Sequence, residues 1–134
     1  KSRQEVYGAS KSLYSCKCAF SEKIEFVKWD TNRMTFIKTN LELGNLEYSL
    51  NIESCKRKRY NLKLTTTVFS RNEKKGKFYI IGYNSETEKH DTLSIFTNFK
   101  NEFSINVKKY NSFVFKEEEN EIATKYLIQE FLQR

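Results

Sequence analysis

Proton transfer near neutral pH falls most naturally to histidine, and this chain of 134 residues carries one, His90. It stands in the polar run Ser85-Glu86-Thr87-Glu88-Lys89-His90-Asp91, where neighbouring charges favour a solvated ring over a catalytic one. No Gly-x-Ser-x-Gly elbow, glycine-rich phosphate loop, dinucleotide fingerprint or His-Glu-x-x-His occurs. The carboxylates Glu117, Glu118 and Glu119 already have an explanation at the start of an expected helix. No residue is therefore assigned a catalytic role, and an enzyme is not the expected class.

The cysteines offer a second kind of chemistry. Cys16 and Cys18 flank Lys17 in an apolar alternation with Tyr14 and Phe20, which puts both sulfurs on one side of an extended segment. With Cys55 and His90 they would supply the ligands of a tetrahedral zinc site. A turn-borne Cys-x-x-Cys knuckle is missing, so buried inert thiols are the preferred reading, with a disulfide to Cys55 as a third option. Three cysteines cannot all pair within one chain. The odd count slightly favours a reducing, intracellular setting, and because the sequence opens on Lys1 a secreted product stays open.

Charge is the most uneven property. Between Ser54 and Lys77 lie Lys56, Arg57, Lys58, Arg59, Lys63, Arg71, Lys74, Lys75 and Lys77, opposed by Glu73 alone. The other 110 residues carry 15 cations and 16 acids, so the whole surplus of the chain belongs to one short region. A local positive potential of this kind attracts polyanions. Arg59 and Arg71 bracket one predicted strand, so the two clusters stand nearly ~40 Å apart and form a track rather than a pocket. Phe69, Tyr79 and Tyr83 are the rings that would stack on bases if the partner were single-stranded nucleic acid, and are otherwise core. No nucleic-acid signature is recognisable, so an acidic protein surface is slightly favoured over nucleic acid. No cofactor is implied.

Elements of period two must position these residues. Leu46, Tyr48, Leu50 and Ile52 alternate with Glu47, Ser49, Asn51 and Glu53, and Tyr60, Leu62, Leu64, Thr66 and Val68 continue the pattern. Further strands are expected over Tyr14–Phe20, Lys23–Asp30, Met34–Thr39, Lys77–Asn84, Thr92–Asn98, Phe103–Lys109 and Phe113–Glu117, nine in all. Short polar breaks separate them, including Thr31-Asn32-Arg33, Gly44-Asn45 and Tyr110-Asn111-Ser112. No stretch between the strands has helical period, so the sheet is expected to be antiparallel, in meander order. After it, Ala123, Leu127, Ile128 and Phe131 recur at the spacing of one helical face, predicting an amphipathic helix over 119–133.

One domain of 134 residues follows: a flexible arm over 1–11, strands over 12–117 and the C-terminal helix. The fold class is mainly β, an antiparallel meander closed or strongly bent into a barrel or sandwich. Its order of elements suits a pleckstrin-homology-like or a lipocalin-like architecture, and no motif of either is present. The function expected is a non-enzymatic binding module engaging an acidic macromolecule. Its alternatives are a secreted or periplasmic barrel carrying an apolar ligand and a small inhibitor or immunity-type protein. No apolar run is long enough to span a bilayer, and edge strands lacking proline could pair with a second copy.

Overall fold

The computed structural model describes residues 18, 20–29, 34–37, 48–70, 76–118 and 120–129. These residues form nine strands: β1 (Phe20–Trp29), β2 (Met34–Ile37), β3 (Tyr48–Lys58), β4 (Asn61–Ser70), β5 (Phe78–Asn84), β6 (Lys89–Phe96), β7 (Lys100–Asn106), β8 (Ser112–Glu117) and β9 (Ile122–Ile128). They pair antiparallel into two sheets, one in the order β2-β1-β9-β8-β5-β6, the other β3-β4-β7. The chain therefore makes local hairpins (β1–β2, β3–β4, β5–β6, β8–β9) and changes sheet between them, which is not the expected meander. Neither sheet closes on itself, so the expected closed barrel is replaced by two open sheets.

The expected C-terminal helix is also absent. Ile122–Ile128 is a strand between β1 and β8, with Phe113 opposite Tyr126 and Ile24 opposite Thr124. The acids read as a helix start end β8 at Glu117 and enter the turn at Glu118, while Glu119 lies outside the described residues, as do 130–134. Among the described residues no helix is long and apolar enough to cross a membrane. The expected strand Tyr14–Phe20 falls largely outside the description, and Cys18 itself is not in a strand.

Apolar residues from both sheets meet between them. Leu50, Ile52, Leu62, Leu64, Phe103 and Ile105 of the smaller sheet share one cluster with Phe78, Ile80, Phe113, Phe115 and Tyr126 of the larger. Rings dominate it: Phe113 stacks on Tyr126 at 4.9 Å and meets Phe103 edge-on at 5.3 Å, and Phe78 stacks on Phe115 at 5.7 Å. Such contacts add about 0.5–1.5 kcal/mol each beyond the area they bury. Gly82 lies opposite Phe113, and a Cβ there would stand 3.0 Å from the Tyr110 ring, so a residue without a side chain lets that ring close over the strand.

A bulge in β3 sets the direction of its second half. Ile52 pairs with Thr66 and Ser54 with Thr65, leaving Glu53 as the extra residue. Uninterrupted alternation from Leu50 and Ile52 would send Ser54, Lys56 and Lys58 toward the core. The inserted residue instead turns Cys55 inward, opposite Leu64, and sends Lys56 and Lys58 out to water.

Candidate functional site

Cys55, so directed, is bonded to Cys18 with 6.4 Å between their Cα atoms. Both are buried, and the bond ties the segment just ahead of β1 to the middle of β3, joining the two sheets covalently. The preference for inert thiols is thereby corrected at these two positions. The zinc set is corrected with it, because two of its sulfurs are spent on each other. His90 stands half-buried in β6 opposite Tyr83, and Cys16 lies outside the described residues. Among the described residues no three His, Cys, Asp or Glu side chains are grouped to hold a metal ion.

The nine cations are distributed over the sandwich as follows. Lys56, Arg57, Lys58, Arg59 and Lys63 are exposed at the β3–β4 hairpin. In its register Lys56 faces Lys63 and Lys58 faces Asn61, so Lys56, Lys58 and Lys63 share the wet face of the three-stranded sheet. Arg57 pairs with Leu62 on the other face, at the rim of the sandwich. Arg59 holds the turn with φ of 57°, in the left-handed region. Lys77 sits at the opposite end, ~30 Å away along the ten residues of β4, beside an open depression of about 540 Å³ lined with Gly76, Thr97, Asn98 and Phe99. Arg71, Lys74 and Lys75 lie outside the described residues.

Sequence proximity missed two members of the hairpin cluster. The β7–β8 turn brings Lys108 and Lys109 beside the β3–β4 turn, because Asn61 pairs with Asn106 and the Val107 amide donates to the Tyr60 carbonyl at 2.8 Å. The Lys108 ammonium lies 4.1 Å from the centroid of the Tyr60 ring, a cation–π contact at the surface. Lys108 and Lys109 are some fifty residues from Arg57 in sequence, and only strand register joins them. Among the described residues two acids share the wet face of the three-stranded sheet: Glu102, 3.6 Å from Lys63, and Glu53 at the bulge, which accepts from the Thr67 hydroxyl at 3.1 Å. Glu86 and Glu88 are exposed on the β5–β6 turn. That turn is fastened to the β7–β8 turn by Asn84, which donates to the Lys109 carbonyl at 3.0 Å, and by Asn111, whose side-chain oxygen accepts from the Ser85 amide at 3.2 Å.

The three rings proposed for stacking do not form one platform. Phe69 is 68% exposed on the wet face of the three-stranded sheet. Tyr79 and Tyr83 are half-buried on the far face of the six-stranded sheet, packed on Val27, Ile81, Val114 and Ala123. The Tyr79 hydroxyl donates to Glu118 at 3.4 Å; burial, then the Glu118 charge and this bond, raise its pKa. Burial also raises that of Tyr83, helped by Glu88 and Glu25. Beside it Lys125 pairs with Glu25 at 3.7 Å, both largely buried, with its ammonium 5.3 Å from the Tyr83 centroid. Lys116 is buried on this same face; loss of water lowers its pKa, opposed by Glu117, Glu118 and Glu121.

Comparison with protein-family models, with curated proteins and with solved structures yields no match to this chain.

Proposed function

We propose that this chain is a non-enzymatic binding module that engages an acidic macromolecule through the end of the sandwich built by the β3–β4 and β7–β8 turns. One observation supports the reading most directly. Cations from two stretches about fifty residues apart, Lys56 to Lys63 and Lys108 to Lys109, are drawn to the same end by the pairing of β4 with β7. Among the described residues the acids on the wet face of that sheet are Glu102, beside Lys63, and Glu53, bonded to Thr67. A dense set of exposed cations attracts a polyanion over a Debye length and binds it by releasing counterions.

The rival carrier of an apolar ligand relied on a closed barrel, whereas here aromatic and aliphatic side chains of two open sheets meet in the space between them. An inhibitor-type protein with a basic docking surface is a special case of the same reading. The test is binding of the intact, oxidised protein to poly-glutamate, single- and double-stranded oligonucleotides and heparin across a salt series. Binding that falls steeply between ~50 and ~200 mM salt is expected for at least one of them. Absence of binding to every polyanion at the lowest salt overturns the reading.

A further inference from the structure

We propose that the acidic macromolecule is a sulfated polysaccharide met in an oxidising, extracytoplasmic compartment, lying along Lys56, Lys58 and Lys63 and over the rim at Arg59, Lys108 and Lys109. This rests on the binding-module reading above and narrows its partner.

The compartment comes from the core. The Cys18–Cys55 bond is buried at both ends, joining the segment ahead of β1 to the opposite sheet. Bonds of this structural kind form and persist outside the reducing cytosol. In such a compartment, sulfated glycans and acidic proteins are the standing polyanions, and nucleic acids are not.

The make-up of the surface separates the remaining two. A stable protein interface covers about 800 Å² on each partner around an apolar, ring-rich centre in which lysine is depleted. The proposed site is the reverse: five of its six members are lysines, and the ring beside them, Tyr60, is half exposed with the Lys108 ammonium over one face at 4.1 Å. Apart from Tyr60, the exposed large apolar side chains among the described residues stand elsewhere: Phe69 near the far end of β4, Ile95 on β6 and Phe99 beyond it.

Spacing also suits a chain of repeated anions. Lys56 and Lys63 face each other on neighbouring strands ~4.8 Å apart, and Lys56 and Lys58 are two residues apart on one face, ~6.6 Å. Their flexible stems let each ammonium meet a separate sulfate as a point charge. Glu53 and Glu102 stand farther along the same wet face, toward the middle of the sheet, which confines the anion to the hairpin end at Lys56, Lys58, Arg59, Lys108 and Lys109.

The experiment compares heparin, fully desulfated re-N-acetylated heparin, poly-glutamate and duplex DNA against the oxidised protein and its K56E/K58E/K108E/K109E variant, at fixed salt. Thermal unfolding of the variant confirms that these exposed positions leave the fold intact. Heparin is expected to bind at least tenfold more tightly than the other three probes, and the variant to lose heparin affinity at least a hundredfold. Its salt dependence should flatten by about one unit of slope for each phosphate-like contact removed. Equal affinity for desulfated heparin or poly-glutamate overturns the sulfated-polysaccharide assignment while leaving a polyanion binder standing. Unchanged affinity of the variant overturns the location. Free, alkylatable thiols at both Cys18 and Cys55 in protein taken from its native source overturn the compartment and the proposal with it.

Discussion

The two sheets of this sandwich follow different rules. In the three-stranded sheet, β4 alternates regularly, Leu62, Leu64, Thr66 and Val68 inward and Asn61, Lys63 and Phe69 exposed to water, so the sheet has one dry and one wet face. In the six-stranded sheet, β8 is buried without interruption from Ser112 to Lys116. One of its faces meets the smaller sheet; the other holds Val27, Ile81, Val114 and Ala123 beside the Lys125–Glu25 pair. The larger sheet thus buries side chains on both faces, and the smaller one keeps an outer face open to water. The proposed function assigns most of the stability to the first and recognition to the second.

If that division is right, the inter-sheet core should be the most sensitive part. Phe113 is fully buried among Phe20, Phe103 and Tyr126. Phe113→Ala is expected to cost about 4–5 kcal/mol in urea unfolding, at the upper end for such truncations. Its neighbour Val114, equally buried but on the far face, should lose only ~2 kcal/mol on truncation to alanine. Equal losses would mean that both faces of β8 carry the same packing load. The bond that joins the two sheets comes next. It closes a span of 37 residues, so Cys18→Ser with Cys55→Ser should lower stability by ~4 kcal/mol, read as a lower urea midpoint than that of the oxidised protein.

The same contrast explains what the sequence revealed. Alternation marks a strand with one wet face, and β3, β4 and much of β7 were legible for that reason. β9 was not. Covered on both faces, it needs no alternation, and Ala123, Leu127 and Ile128 then fell by chance on the spacing of a helical face. The bulge at Glu53 was equally silent, because one extra residue leaves no mark in composition, yet it decides that Cys55 faces Cys18 and that Lys56 faces water. Of the candidate site, the Lys56–Lys63 half was visible as a run of charge. Lys108 and Lys109 were hidden, since only the β4–β7 register brings them there.

The largely buried ion pair on the six-stranded sheet offers a sharper cut. Lys125→Met keeps much of the stem volume but strands the Glu25 carboxylate in a poorly hydrated site, and a loss of ~3 kcal/mol is expected. Glu25→Gln in the same background should recover part of it. A smaller effect is expected at Tyr110, whose hydroxyl donates to Asp91. Burial, then that bond and the Asp91 charge, push its pKa up to about 12 from 10.0. The folded state therefore keeps a proton that the unfolded chain releases, so this contribution is complete below pH ~10 and declines as pH rises toward ~12. Tyr110→Phe should cost ~1–2 kcal/mol at neutral pH and make stability fall less steeply across that window. An unchanged alkaline profile would place the phenol outside the folding linkage.

The smallest effect belongs to the open sheet, and it completes the comparison. Lys63 and Glu102 stand 3.6 Å apart, nearly the same as Lys125 and Glu25 at 3.7 Å, but their side chains are 58% and 57% exposed against 13% and 8%. Water already screens the exposed pair, and two long side chains lose rotational freedom to form it, so Lys63→Met should change stability by less than ~0.5 kcal/mol. A double-mutant cycle of Lys63→Met with Glu102→Gln, set beside one of Lys125→Met with Glu25→Gln, measures the difference directly. A coupling near zero for the first and well above ~1 kcal/mol for the second is expected. Comparable couplings would mean that the smaller sheet's outer face is shielded from solvent, and a shielded face could not offer Lys56, Lys58 and Lys63 to a partner.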